Sequence, residues 1–155
     1  MDGIVIRAAT PRDQAAIVEL VRSEPLNPAG LEWQRFVVAI DRGGLAGTVQ
    51  MRHHADGSRE LGSLVVRRDL RGRGVAARLI DALLQRHEDR VLLVTRTTRA
   101  PYFAPWGFSP IAPNAAPPPL RRQRRLGQWG GGLVALLRGR LPRRLVILER
   151  SPAAA

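Results

Sequence analysis

The chain has 155 residues, enough for one domain with a real hydrophobic core and too few for two comfortable ones. At 45% hydrophobic residues disorder is not the default, and with no cysteine both disulfides and thiolate metal sites are excluded. All 25 basic residues are arginine, the formal net charge is +12, and the excess is uneven: residues 1–90 carry 14 Arg against 12 acids, residues 91–155 carry 11 Arg against Glu149 alone.

Ile4–Ala8 reads as an opening strand. Thr10, Pro11 and Asp13 then supply an N-cap, a proline at the first helical position and an acid at N3. Ala16, Ile17, Leu20 and Val21 follow at helical spacing, so a first helix is expected to run to about Val21. Residues 22–34, with two prolines and Gly30, read as irregular. Phe36–Ile40 is a strand, Asp41–Gly44 a glycine turn, and Leu45 to about His53 the returning strand. Ala55–Ser58 is a second turn and Glu60–Val66 a third strand, which makes the middle of the chain an antiparallel meander.

After Arg67–Arg71 and Gly72-Arg-Gly74, a helix is expected to about Glu88, with Ala76, Leu79, Ile80, Leu83 and Leu84 facing inward. Val91–Thr95 is a buried strand, the residues around Pro101–Pro105 a short helix, and Gly107–Ile111 the start of another strand. From Ala112 to Pro142 the pattern decays. Pro117-Pro-Pro119, Arg121-Arg-Gln-Arg-Arg125 and Gly130-Gly-Gly132 punctuate short apolar pieces, so residues 113–144 are expected to be an irregular basic segment within a single domain spanning 1–155. Leu145–Glu149 is the last strand. No stretch approaches the 18 or so apolar residues of a membrane span, and the first residues lack the pattern of a signal peptide. A cytoplasmic protein without a membrane partner is expected.

Gly72-Arg-Gly-Val-Ala-Ala77 matches G-x-G-x-x-A, the dinucleotide fingerprint. Its surroundings argue against that reading: five residues separate Val66 from Gly72, antiparallel strands precede it, and too little chain follows for repeated parallel units. Shifted by one, Arg71-Gly-Arg-Gly74-Val-Ala76 puts two glycines and two arginines at a helix N-terminus. Unpaired N–H groups and partial positive charge there suit a pyrophosphate. No H-E-x-x-H or comparable cluster exists, so no metal is implied. His53 and His54 are adjacent in a strand and face opposite ways, so at most one points into a site, and His53 shares the face of Val49 and Met51.

Arg71–Ala76 resembles the R/Q-x-x-G-x-G/A pyrophosphate signature of the Gcn5-related N-acetyltransferase (GNAT) family. Glu60–Val66, the following helix, Val91–Thr95 and Tyr102–Phe108 resemble that family's central region in order and spacing, and the likeness covers about residues 4–111. It implies an α/β (α+β) fold: a mixed, mostly antiparallel central sheet with a splayed pair of parallel strands and flanking helices. It implies acetyl-CoA as acyl donor, its pyrophosphate held by Arg71, Gly72, Arg73, Gly74, Val75 and Ala76. Its pantetheine arm would lie along the main chain of Leu64, Val65 and Val66, one of whose N–H groups would face the thioester oxygen.

The same resemblance implies a base, and Glu60 is the candidate. Strand alternation puts Glu60, Gly62, Leu64 and Val66 on one face unless a bulge intervenes; the competing reading is an exposed glutamate paired with an arginine. The family often places a tyrosine four residues before its Gly-Phe pair. Here that position is Phe103 and the tyrosine is its neighbour Tyr102, the candidate acid. Thr95–Arg99 is similar to the corresponding stretch of amino-acid N-acetyltransferases, which implies Arg96 or Arg99 as the holder of a substrate carboxylate. The expectation is an acyl-CoA-dependent N-acetyltransferase acting on a small amine. The alternatives are acetylation of aminoacyl-tRNA or another anionic macromolecule, and a non-catalytic acyl-CoA-binding module. A homodimer is left open.

Overall fold

The computed structural model describes residues 3–137 and 144–152. Its strands are β1 (Val5–Ala8), β2 (Phe36–Asp41), β3 (Gly44–His53), β4 (Arg59–Val66), β5 (Val91–Arg96), β6 (Ser109–Ile111) and β7 (Leu145–Arg150). They are ordered β1-β2-β3-β4-β5-β7-β6. β1 with β2, β2 with β3, β5 with β7 and β6 with β7 are antiparallel, whereas β4 and β5 are parallel, in register at Glu60 and Leu92. The mixed, mostly antiparallel sheet with one parallel pair is the fold expected from the sequence.

The chain divides into two compact units, one of residues 1–52 and 61–88, the other of residues 53–60 and 89–155. In the first, the helix expected from Pro11 opens as a 3₁₀ turn, Pro11–Asp13, and becomes the α-helix α1 only at Gln14–Arg22. The Asp13 carboxylate accepts from the Thr10 N–H at 2.7 Å and is gripped by both Nη atoms of Arg7, so orphan groups at the helix entry are satisfied. Ile17 and Val21 of α1 pack with Phe36, Val38 and Val65 in a core cluster. α2 (Val75–Leu84) buries Val75, Leu79, Ile80, Leu83 and Leu84. Val75 takes the inward place expected of Ala76, which is half-buried. The helix also stops short of Glu88. Arg86 and His87 donate to Leu83 and Leu84, three residues back, so the last turn tightens once the apolar positions run out.

The second unit is built on β5, β7 and β6. β5 is fully buried only over Val91–Leu93 and half-buried beyond, a narrower core than the sequence suggests. The largest departure lies in residues 113–144, expected to be irregular: Pro118–Leu137 is a helix, α3. Its two prolines occupy the first turn, where the missing N–H costs nothing, and arginine is a strong helix former. Leu120 is fully buried against Leu92, Ala116 and Ile147, which ties α3 to the sheet. Further along, a Cβ on Gly127 would lie 2.8 Å from Leu145 Cδ1, so glycine permits the close approach of helix and strand.

Candidate active site

In the first unit, β4 runs into a short 3₁₀ turn (Arg68–Leu70) and then into the loop before α2. Gly72 and Gly74 are left-handed, at φ 75° and 76°, and a Cβ on either would meet nothing within 4 Å. The glycines are therefore required by backbone conformation, and the space over the loop is open. Gly74 is the N-cap of α2 and no side chain caps that helix, so its first N–H groups have the unsatisfied character that binds anions. Arg73 is exposed. Arg71, expected to add charge over the loop, is exposed but already paired: Nε donates to Val66 O at 2.9 Å and Nη2 to Glu24 Oε1 at 2.7 Å. Glu24, which the sequence did not single out, has its carboxyl held below the usual range by that bond, with Arg68 adding attraction. Arg67 braces the other end of the turn between Asp41 and Asp69.

β4 carries a backbone irregularity at Ser63 that strand alternation alone cannot foresee. Ser63 has φ 51°, the one left-handed non-glycine residue among those described, which costs roughly 1–2 kcal/mol. Hydrogen bonds hold it there: Ser63 Oγ accepts from Gln50 Nε2 at 2.8 Å and Arg52 Nη2 at 3.1 Å, and Ser63 O from Thr48 Oγ1 at 2.9 Å. Adjacent Gly62 faces the same guanidinium, since a Cβ there would fall 2.4 Å from Arg52 Nη1. Two consecutive residues thus share one face, and the expected common face of Glu60, Gly62, Leu64 and Val66 is broken at Ser63. Beyond it Leu64 is half-buried, while Val65 and Val66 are buried.

In the second unit, Glu60 is 1% exposed, and the reading of it as an exposed glutamate fails. His54 Nε2 lies 2.8 Å from its Oε2, and Gln123 Nε2 donates to its Oε1 at 2.8 Å. His54 therefore reaches the carboxylate, and His53 is exposed. The turn between the strands fixes it: His54 N–H donates to Ser58 O, Gly57 N–H to His54 O, and Asp56 Oδ1 accepts from Ser58. Sequence reasoning passed over Gln123 because its segment read as irregular.

Tyr102 and Phe103 lie in a 3₁₀ run, Thr97–Trp106. Tyr102 leans on Trp106 and stands edge-on to Phe103, and Phe103 is buried. Arg96 ends β5 opposite Leu145 and is half-buried, and Arg99 is exposed in the 3₁₀ run. Arg96 is four residues beyond Leu92, the register partner of Glu60, or about 13 Å along the strand. Among the described residues, no group of three or more His, Cys, Asp or Glu is placed to hold a metal, and no helix is long and apolar enough to cross a membrane.

Residues 32–110 match the family model described as the acetyltransferase (GNAT) domain. Among solved structures, N-acetylglutamate synthase from Neisseria gonorrhoeae, complexed with coenzyme A and L-arginine, is similar at 18% identity and a TM-score of 0.70. That match covers 99% of this chain but only 34% of the other. Rv2747 from Mycobacterium tuberculosis, solved with CoA, is 20% identical at a TM-score of 0.69, covering 95% of this chain and 98% of that one. The ribosomal-protein-S18-alanine N-acetyltransferase from Escherichia coli is 15% identical at 0.65, covering 98% and 96%. These likenesses are of fold. No protein of curated function matches the sequence.

Proposed function

The chain belongs to the GNAT acetyltransferase family, and we propose that it moves the acetyl group of acetyl-CoA onto the primary amine of a small, amino-acid-like acceptor. The observation that carries this reading is the start of α2: two left-handed glycines and an uncapped helix turn present N–H groups to an anion. The pyrophosphate of acetyl-CoA is that anion, bound over residues 71–76. The pantetheine arm follows the main chain of Leu64, Val65 and Val66, where an N–H meets the charge that develops on the thioester oxygen. Acetyl-CoA supplies the activated acyl carbon. As the N–C bond forms and the C–S bond breaks, Glu60 takes the proton that the amine loses, directly or through water, and Tyr102 gives one to the departing sulfur.

The acceptor class is supported by the N. gonorrhoeae neighbour, an N-acetylglutamate synthase by name, and by Arg96 and Arg99, whose guanidinium groups suit a carboxylate through two N–H donors. A second acceptor class, an anionic macromolecule such as aminoacyl-tRNA, is favoured by the exposed Arg121, Arg122 and Arg125 of α3.

Two measurements test the reading. Acetyl-CoA should raise the melting temperature by mass action, and Gly74→Asp, which adds a carboxylate at the helix start, should abolish that shift. CoA release from acetyl-CoA across amino acids, polyamines, peptides and aminoacyl-tRNA then identifies the acceptor. No thermal shift with the wild-type protein, or an equal shift with Gly74→Asp, refutes the binding site; shift without release to any amine leaves a binding module.

A further inference from the structure

The arginine run of α3 is interrupted once, by Gln123 in Arg121-Arg-Gln-Arg-Arg125, and that residue meets the most buried carboxylate of the second unit. The helix brings it there by a short chain of contacts. Leu120 is seated on Leu92, Leu92 is the register partner of Glu60, and Gln123 is three residues on from Leu120, hence on the same face of α3. Arg124 fixes the rotation of the helix, its Nε donating to Leu145 O at 3.0 Å. An ionised carboxylate only accepts, so the amide presents its NH₂ to Glu60.

We propose that Gln123 is a positioning residue for the proton-accepting carboxylate, fixing with His54 the plane in which Glu60 meets the amine. This rests on the reading of Glu60 as the base. The terminal torsion of a glutamate is broad and two-fold, so packing alone does not set the carboxylate plane. Donors on both oxygens do, and Gln123 on Oε1 and His54 on Oε2 are placed to act so. The amide also orients without adding charge. An arginine at position 123 would hold the carboxylate ionised and weaken it as a base. Nearby, Arg59 pairs with Asp89, Arg124 donates to Leu145 O, and Asp56 accepts from Ser58.

The test uses the full chain and CoA release from acetyl-CoA with an equimolar mixture of the twenty common amino acids, read as kcat, KM for acetyl-CoA and pH profile. Gln123→Met removes the donor at similar length and should lower kcat roughly ten- to a hundredfold with KM unchanged. Gln123→Glu sets two carboxyl groups at hydrogen-bonding distance, where like charges favour sharing a proton, so its activity should rise only at higher pH than wild type. Circular dichroism and the acetyl-CoA thermal shift report folding; should the Met variant fail there, the near-isosteric Glu variant carries the test. A Glu60→Gln protein that is inactive, beside Gln123 variants with wild-type kcat and pH profile, overturns the positioning role alone. A Glu60→Gln protein as active as wild type overturns the base itself, and the positioning role with it.

Discussion

Phe103 is interior, its ring edge-on to Phe108 at a centroid distance of 6.1 Å, whereas Tyr102 beside it is 46% exposed. In a 3₁₀ run successive residues are about 120° apart, so the two side chains do not exchange places without unwinding the segment. Trp106 lies against the Tyr102 ring at 5.4 Å and restricts where the hydroxyl reaches. If that hydroxyl protonates the leaving thiolate, Tyr102→Phe should lower kcat by about 10²-fold, leaving the melting temperature and acetyl-CoA affinity unchanged. Wild-type turnover across the pH range would assign the proton to solvent. At this scale the sequence is a good guide to chemistry and a poor one to partnership. Gly72 and Gly74 are legible because glycine at a helix start answers a backbone demand that other residues meet badly. The bond of Gln123 to Glu60 is not, because 63 positions separate the two and only tertiary register joins them.

The helices divide in the same way. α1 announces itself through Thr10, Pro11 and Asp13, and the structure adds Arg7, whose guanidinium holds the Asp13 carboxyl down to about 2 from its ordinary 3.8. A carboxyl whose pKa is lower in the folded state stabilises the fold above its unfolded value and loses that contribution as the pH falls through its folded one. The Asp13 contribution should therefore be complete above about pH 4 and fade towards pH 2. Asp13→Asn should cost about 1 kcal/mol at neutral pH and flatten the acid limb of melting temperature against pH over that window; an unchanged limb would remove Asp13 from the account of acid stability. α3 was not legible, since three consecutive prolines and three consecutive glycines each count against a helix, and a run of arginines offers no apolar face to pack. The prolines fall at its first turn, and burial of Leu120 decides the matter, which periodicity read over so broken a segment cannot weigh.

At the scale of the whole molecule the charge is lopsided in sequence, with a net +2 over residues 1–90 and +10 over residues 91–155. Composition alone does not say whether those arginines act together. Arg121, Arg122 and Arg125 are exposed in the first turns of α3, where spacings of one, three and four residues spread them over an arc of the helix surface. The sequence supplies no acid between residues 91 and 148 to neutralise them. Such a surface should bind single-stranded RNA without sequence preference, with an affinity that falls steeply as salt displaces the phosphate contacts. Each contact contributes roughly 0.7 to the slope of log K against log salt, so replacing all three arginines with glutamine should lower that slope by about 2. Acetyl-CoA affinity should hold, because the proposed pyrophosphate site draws on α2 and its loop. Filter binding of a homopolymeric RNA across a salt series, with the acetyl-CoA thermal shift as control, separates two outcomes. A slope lowered with the thermal shift intact makes α3 a polyanion-binding face and strengthens the macromolecular acceptor; a slope that does not change makes those arginines a solvated surface and leaves the small amine as the acceptor.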